Sequence, residues 1–193
     1  MSNMTETEIL ELFRRTGVLQ EGHFRLTSGR HSDQYLQCAQ VLQYPEHAEA
    51  LCRQLAAWFA DARVDAVVGP ALGGIIMAYE MARQLGCRAL FAEREEGRMC
   101  LRRGFVLRPG ERVLVAEDVI TTGGSVNEVL EVVAAAGARS VGVAALVDRS
   151  GGEVDFGIPL RTLLRLRIPS YSPADCPLCR QGVPLVKPGS RPQ

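Results

Sequence analysis

Apolar and polar positions along this chain alternate first with a helical period and then in short, wholly apolar runs. Residues 5–16 carry Ile9, Leu10, Leu12 and Phe13 at helical spacing, behind a capping Thr5 with Glu8 three positions on, and Gly17 marks a stop. Residues 22–44 read as two short strands about the turn Thr27-Ser28-Gly29-Arg30-His31-Ser32. Pro45 opens a helix running to about residue 60, with Ala48, Leu51, Cys52, Leu55, Ala56 and Phe59 on one face.

From residue 64 the pattern changes. Val64 to Gly69 is a short apolar strand, Pro70-Ala71-Leu72-Gly73-Gly74 a turn, and Ile75 to Leu85 a helix ending at Gly86. Arg88 to Ala92 is the next strand, residues 93–110 have hairpin or loop character, and 111–116 is again apolar. A helix over 125–136 stops at Gly137, and Ser140 to Val147 is a further buried strand. Strand–helix alternation with continuously apolar strands predicts an α/β fold with a mainly parallel central sheet flanked by helices. Such sheets bind ligands in the loops after their strands, which singles out the turns 69–74, 117–125 and 148–152. Residues 169–193 hold six prolines and predict an irregular tail, so that 1–193 reads as a single domain.

Composition narrows the function classes. The 193 residues are 47% hydrophobic and 23% charged, with zero formal net charge, which argues against nucleic acid as a partner bound through bulk charge. A local run of Arg94, Arg98, Arg102, Arg103, Arg108 and Arg112, with acids between, is either a solvated face or an anion site. No segment reaches the roughly 18 apolar residues of a membrane span, and the first ten residues lack a signal-peptide core. A cytoplasmic protein without a membrane partner is expected. Cys38, Cys52, Cys87 and Cys100 stand singly, as in reduced proteins. Cys176-x-x-Cys179 is half of a tetrahedral zinc site, whereas His23, His31 and His47 are distant in sequence. The pair reads as a zinc half-site shared between two subunits, as two thiols, or as a redox motif.

The chemistry concentrates in Val113-Leu114-Val115-Ala116-Glu117-Asp118-Val119-Ile120-Thr121-Thr122-Gly123-Gly124-Ser125. An apolar strand ends in two carboxylates, and a glycine turn leads into a helix N-terminus, where unpaired N–H groups and the dipole favour an anion. The hydroxyls of Thr121, Thr122 and Ser125 add donors, so the turn suits a phosphate monoester. Glu117 and Asp118 would repel that phosphate unless they serve another group, and sugar hydroxyls, directly or through a divalent cation, are the natural one.

This string resembles the signature of the type I phosphoribosyltransferases, which bind 5-phosphoribosyl 1-pyrophosphate (PRPP). Gly69-Pro70-Ala71-Leu72-Gly73-Gly74 is similar to their pyrophosphate loop, and Phe24-Arg25-Leu26-Thr27-Ser28-Gly29-Arg30 to the hood segment of their orotate-using members. Cys176 through Lys187-Pro188-Gly189-Ser190-Arg191 is similar to one bacterial branch of the orotate enzymes. The resemblance implies the fold of that family, with residues 1–44 supplying a helix and a small hood. It implies Mg2+-dependent transfer of the phosphoribosyl group to orotate in pyrimidine biosynthesis, Mg2+ arriving on PRPP, by a homodimer with shared active sites. Catalysis then falls to Asp118, Glu117 and Arg94. PRPP falls to 117–125 (Glu117, Asp118, Val119, Ile120, Thr121, Thr122, Gly123, Gly124, Ser125), Ala71, Leu72, Gly73, Arg94 and Arg98. Orotate falls to Thr121, Arg149 and Tyr35, a guanidinium pairing two-pronged with a carboxylate. Asp148-Arg149 alone would equally read as a surface ion pair, and Tyr35 as a core aromatic. A purine-type transferase and a non-catalytic PRPP-binding regulator share the signature. The chain departs from the family in its lysines. Thr27 and Gly73 stand at two lysine positions, and the catalytic loop is cut to Glu93-Arg94-Glu95-Glu96-Gly97-Arg98-Met99. Arg94 and Arg98 can neutralise charge there but are poor general acids.

Overall fold

Thr5 closes the first helix as the sequence predicts. Its hydroxyl accepts from the Glu8 N–H while the Glu8 carboxylate accepts from the Thr5 N–H, at the head of α1 (Glu6–Arg15). The computed structural model describes residues 3–26 and 28–188, so that Thr27 of the hood turn and Gly189-Ser190-Arg191 of the tail lie outside the described residues. After α1 the chain forms an antiparallel pair, β1 (Leu19–Arg25) and β2 (His31–Leu36), which is the hood. It starts at residue 19 rather than 22, because Leu19 pairs with Leu36. A short α2 (Ala39–Leu42) precedes α3 (Pro45–Ala57), which Pro45 opens where its missing N–H costs nothing.

The remaining elements run β3 (Ala66–Pro70), α4 (Gly73–Leu85), β4 (Arg88–Glu95), β5 (Arg98–Leu101), β6 (Arg112–Ile120), α5 (Gly124–Ala135), β7 (Arg139–Asp148), β8 (Leu160–Arg165) and a single turn α6 (Pro177–Arg180). Six strands form one sheet in the order β5-β4-β3-β6-β7-β8, parallel except for β4 with β5. Along its central strands residues alternate between the two faces. Val67, Leu114, Ala144 and Leu146 join Ile9, Phe13, Leu51 and Met77 on the α1, α3 and α4 side. Ala66, Val68, Val113, Val115, Val143 and Ala145 pack on Val126, Val129 and Val133 of α5. Apolar side chains face both ways because helices cover both faces.

Two findings differ from the sequence reading, and a third settles an alternative it left open. Strand β6 continues past residue 116 to Ile120, so Glu117 and Asp118 sit within the ladder, where Glu117 pairs with Ala145. Of the two readings of the charged stretch after residue 92, hairpin or loop, the structure takes the hairpin and extends it back into β4, closed by Glu96 and Gly97 with positive φ of 49° and 83°, the geometry a two-residue hairpin turn demands. Strand β8 is new. Its arginines Arg161 and Arg165 mask it as a polar segment, yet they suit a sheet edge.

The proline-rich tail is also less free than its composition suggests. Tyr171 and His31 exchange both backbone hydrogen bonds, at 2.9 and 2.8 Å. On the other hood strand, Val186 donates to His23 O and accepts from Arg25 N–H, both at 2.8 Å. Ser32 Oγ donates to Pro169 O at 2.7 Å. The tail thus grips both strands of the hood hairpin.

Candidate active site

The two acids of β6 are held where the sheet leaves little water. Glu117 is buried and Asp118 half-buried. Asp118 N–H donates to Glu117 Oε1 at 3.0 Å and Val119 N–H to Asp118 Oδ1 at 2.8 Å. Burial, then the neighbouring Asp118 charge, pushes the Glu117 carboxyl up to about 9. Burial raises Asp118 too. The folded chain therefore binds more protons than the unfolded chain between the ordinary carboxylate range and about 9, and Glu117 withdraws stability as pH rises through that window. Glu117→Gln is expected to melt higher than the native sequence by a margin that grows from about pH 6 to about pH 9. Thermal unfolding across that series is the check, and a margin independent of pH would contradict the assignment.

After Ile120 the chain turns through Thr121 to Gly123 and enters α5. Gly123, at φ 76°, sits against Val154 and Phe156, and a Cβ there would approach Val154 Cγ1 to 2.9 Å. Glu117, Thr121, Thr122, Gly124 and Ser125 line a small polar hollow over the α5 N-terminus, whose first N–H groups have no helical partner. The turn 70–74 lies beside it, fixed by Ala71 N–H on Ala92 O at 2.7 Å, with a cis peptide between Ala71 and Leu72. Gly73 is the point of contact. A Cβ on it would lie 2.7 Å from both carboxylate oxygens of Asp118, so a side chain at this position would close the space in front of the acid.

A larger cleft opens between the hood and the ends of β6 and β7. Arg25, Tyr35, Asp118, Thr121, Arg149 and Pro188 line it. Backbone donation to Ile120 O at 2.8 Å holds Arg149 at the mouth of β7. Among the described residues its Nε is buried with no hydrogen-bond partner, and burial lowers its pKa. Asp148 does not supply that partner. Its carboxylate accepts from Ser150 N–H and Oγ–H at 2.8 and 2.6 Å and lies 3.8 Å from Arg165 Nε, so the surface-pair reading of Asp148-Arg149 does not hold. Sequence reasoning passed over Arg25, which it quoted but gave no role, and Pro188, whose approach depends on the tail's return.

Arg94 and Arg98 are not among the residues lining either hollow. Arg94 pairs with Glu128 of α5 at 2.7 Å and donates to Gly97 O. Arg98 borders a separate groove with Met99, Glu128 and Glu131. Regular β4–β5 pairing carries both outward. Arg102 and Arg103 pair with Glu93 at 3.8 and 3.1 Å, so this stretch is an ion-paired face.

The sequence reading leaves the cysteine pair without nearby histidines. The structure corrects this, because the tail's return sets Cys176 and Cys179 beside His23 and His31. His47 stays apart, against Tyr44.

Comparison with known proteins agrees with this geometry. The phosphoribosyl transferase domain model matches residues 39–157. The orotate phosphoribosyltransferase of Pelotomaculum thermopropionicum is 60% identical over 188 residues, covering 97% of this chain and 99% of that protein. The protein of the same name from Caldanaerobacter subterraneus is 56% identical, with 97% and 99% covered. The crystal structure of orotate phosphoribosyltransferase from Aeropyrum pernix superposes with a TM-score of 0.69 at 27% identity, covering 82% of this chain and 94% of that one.

Proposed function

We propose roles for the residues of this site on the premise that the chain belongs to the phosphoribosyltransferase family and, within it, to the orotate enzymes. It transfers the 5-phosphoribosyl group of PRPP to orotate, releasing orotidine 5′-phosphate and pyrophosphate, as a pentosyltransferase of pyrimidine biosynthesis. The observation that carries the residue assignment is Arg149, a half-buried side chain that lines a cleft with Tyr35 and Thr121 and whose buried Nε has no hydrogen-bond partner among the described residues. A planar monoanion fits that setting, its carboxylate pairing with Arg149 and its ring lying against Tyr35.

The turn 121–125 and the α5 N-terminus hold the 5-phosphate, and Ala71, Leu72 and Gly73 hold the diphosphate. Glu117 and Asp118 take the ribose hydroxyls, whose donors satisfy carboxylates that burial leaves costly to ionise. Holding both ends of PRPP aligns C1 with the acceptor nitrogen. Orotate is already an anion and needs positioning more than a general base. The paired acids, and the space Gly73 leaves before Asp118, fit Mg2+, a cation that prefers carboxylate and phosphate oxygens. Held there with PRPP, it would supply positive charge to offset the charge of the departing diphosphate.

Arg94 and Arg98 serve charge neutralisation from the neighbouring subunit of a homodimer. Their outward direction supports this, as does an exposed apolar row of Leu72, Ile76 and Tyr79 along α4 that a second copy would cover. The cytoplasm is the compartment assigned to it. Among the described residues no helix is long and apolar enough to cross a membrane.

Loss of orotate absorbance in the presence of PRPP and Mg2+ tests the reading, with adenine, hypoxanthine and uracil assayed beside it. Turnover is expected with orotate alone. Turnover of a purine without orotate would favour a purine-type transferase, and PRPP binding with no turnover would favour a regulator.

A further inference from the structure

Four metal-ligating atoms converge where the tail meets the hood. His23 Nε2 lies 3.1 Å from His31 Nδ1, 3.4 Å from Cys176 Sγ and 3.7 Å from Cys179 Sγ. Cys179 Sγ lies 3.3 Å from His31 Nδ1. All four atoms are within 4.8 Å of one another. A tetrahedral zinc ion, with bonds of about 2.0–2.1 Å to nitrogen and about 2.3 Å to sulfur, sets its ligand atoms about 3.3–3.8 Å apart. The four shortest of these separations, 3.1, 3.3, 3.4 and 3.7 Å, lie close to that spacing.

Hydrogen bonding fixes which nitrogen points inward. His23 Nδ1 lies 2.7 Å from the Val183 carbonyl. A carbonyl oxygen can only accept, so Nδ1 carries the proton, and the bare Nε2 lone pair of the neutral ring faces His31 and the two sulfurs. A backbone acceptor behind a ligating histidine is the usual support of a zinc site. Val183 stands four residues beyond Cys179, its own N–H bonded to Leu178 O at 3.0 Å, so one tight loop supplies both sulfur ligands and this support. Two thiolates and two neutral imidazoles carry two negative charges, which one zinc ion cancels. His23, His31 and Cys176 are buried and Cys179 is exposed, giving the ion a way in.

We propose that His23, His31, Cys176 and Cys179 of a single chain bind one zinc ion. Four protein ligands close the coordination sphere, which makes the site structural rather than catalytic. The ion ties β1 and β2 to the Cys176–Cys179 segment of the tail, which lies along the chain between the backbone contacts made by Tyr171 and Val186. Arg25 and Pro188, two and nine residues from ligands along the chain, line the cleft assigned to orotate. The ion thus shapes that cleft without touching a reacting atom. The inference stands independently of the orotate assignment, since it concerns metal content and not turnover.

Elemental analysis of protein purified from zinc-supplemented cells, after gel filtration, is expected to give about one zinc per chain, falling more than tenfold in the double variant Cys176→Ser, Cys179→Ser and in His23→Ala. The double variant Cys38→Ser, Cys100→Ser should keep its zinc. Since the ligand variants could fail to fold, the native sequence is also stripped with a chelator and titrated with cobalt(II). A thiolate-to-cobalt charge-transfer band with tetrahedral d–d absorption, saturating at one equivalent per chain, is expected. Absence of both zinc and that band would overturn the proposal. Saturation at half an equivalent would overturn the single-chain ligand set, as would zinc retained by the Cys176, Cys179 variant.

Discussion

Asp118→Asn is expected to lower kcat/KM for PRPP about a hundredfold while leaving the fold intact. The magnitude follows from losing charge-assisted hydrogen bonds to ribose hydroxyls, each contributing about 1.5–3 kcal/mol. Tolerance follows from burial, because an acid that resists ionisation in the folded state loses nothing in stability when an isosteric amide replaces it. Asn also keeps an oxygen able to accept from Val119 N–H, which Asp118 Oδ1 does now at 2.8 Å. The measurement is initial rate against PRPP at saturating orotate, with melting temperature beside it. Native kcat/KM in a folded Asp118→Asn protein would remove Asp118 from the machinery.

The second large effect concerns the acceptor. Arg149→Met should raise the orotate KM by about 30- to 200-fold, the equivalent of roughly 2–3 kcal/mol for a desolvated guanidinium–carboxylate pair. The PRPP KM should stay within about twofold, since Arg149 stands at the β7 end of the cleft. Arg149→Lys should recover only part of the loss, because an ammonium cannot offer two parallel donors. Stability should move the other way. Arg149 leaves Nε unpartnered in a buried setting, so an apolar side chain of similar length removes a desolvation cost, and Arg149→Met is expected to melt no lower than the native sequence. An unchanged orotate KM would show that the carboxylate binds elsewhere.

What the sequence makes legible here depends on how local the cause is. Residues 113–125 disclose their local structure because strand, acids, glycine turn and helix start are contiguous, and the structure adds only that β6 runs on through the acids to Ile120. The capping box at Thr5 and the Pro45 helix start are legible for the same reason. Strand β8 is not, since two arginines at a sheet edge hide an apolar pair, Leu163 and Leu164, that only the sheet buries. Asp148 and Arg149 are adjacent in sequence and oriented apart in space, which no reading of neighbours could reveal. The gathering of His23 and His31 with Cys176 and Cys179 spans about 150 residues of chain and depends wholly on the tail's return. Arg94 shows the opposite limit. Its residue type suits charge neutralisation, but the hairpin geometry that directs it toward Glu128 is not written in its charge.

The backbone bridges between His31 and Tyr171 and between Phe24 and Val186 also set an order of assembly. The hood strands are among the first residues a ribosome would release, yet their partners come more than 130 positions later. Contacts that close so long a loop form late, after the sheet's nearer pairings have reduced the entropy of bringing the ends together. On this ground β3, β6 and β7, and with them the turn 121–125, are expected to form while the roof of the cleft is still open. The wall of the cleft that the hood and the tail build together is therefore expected to be finished last.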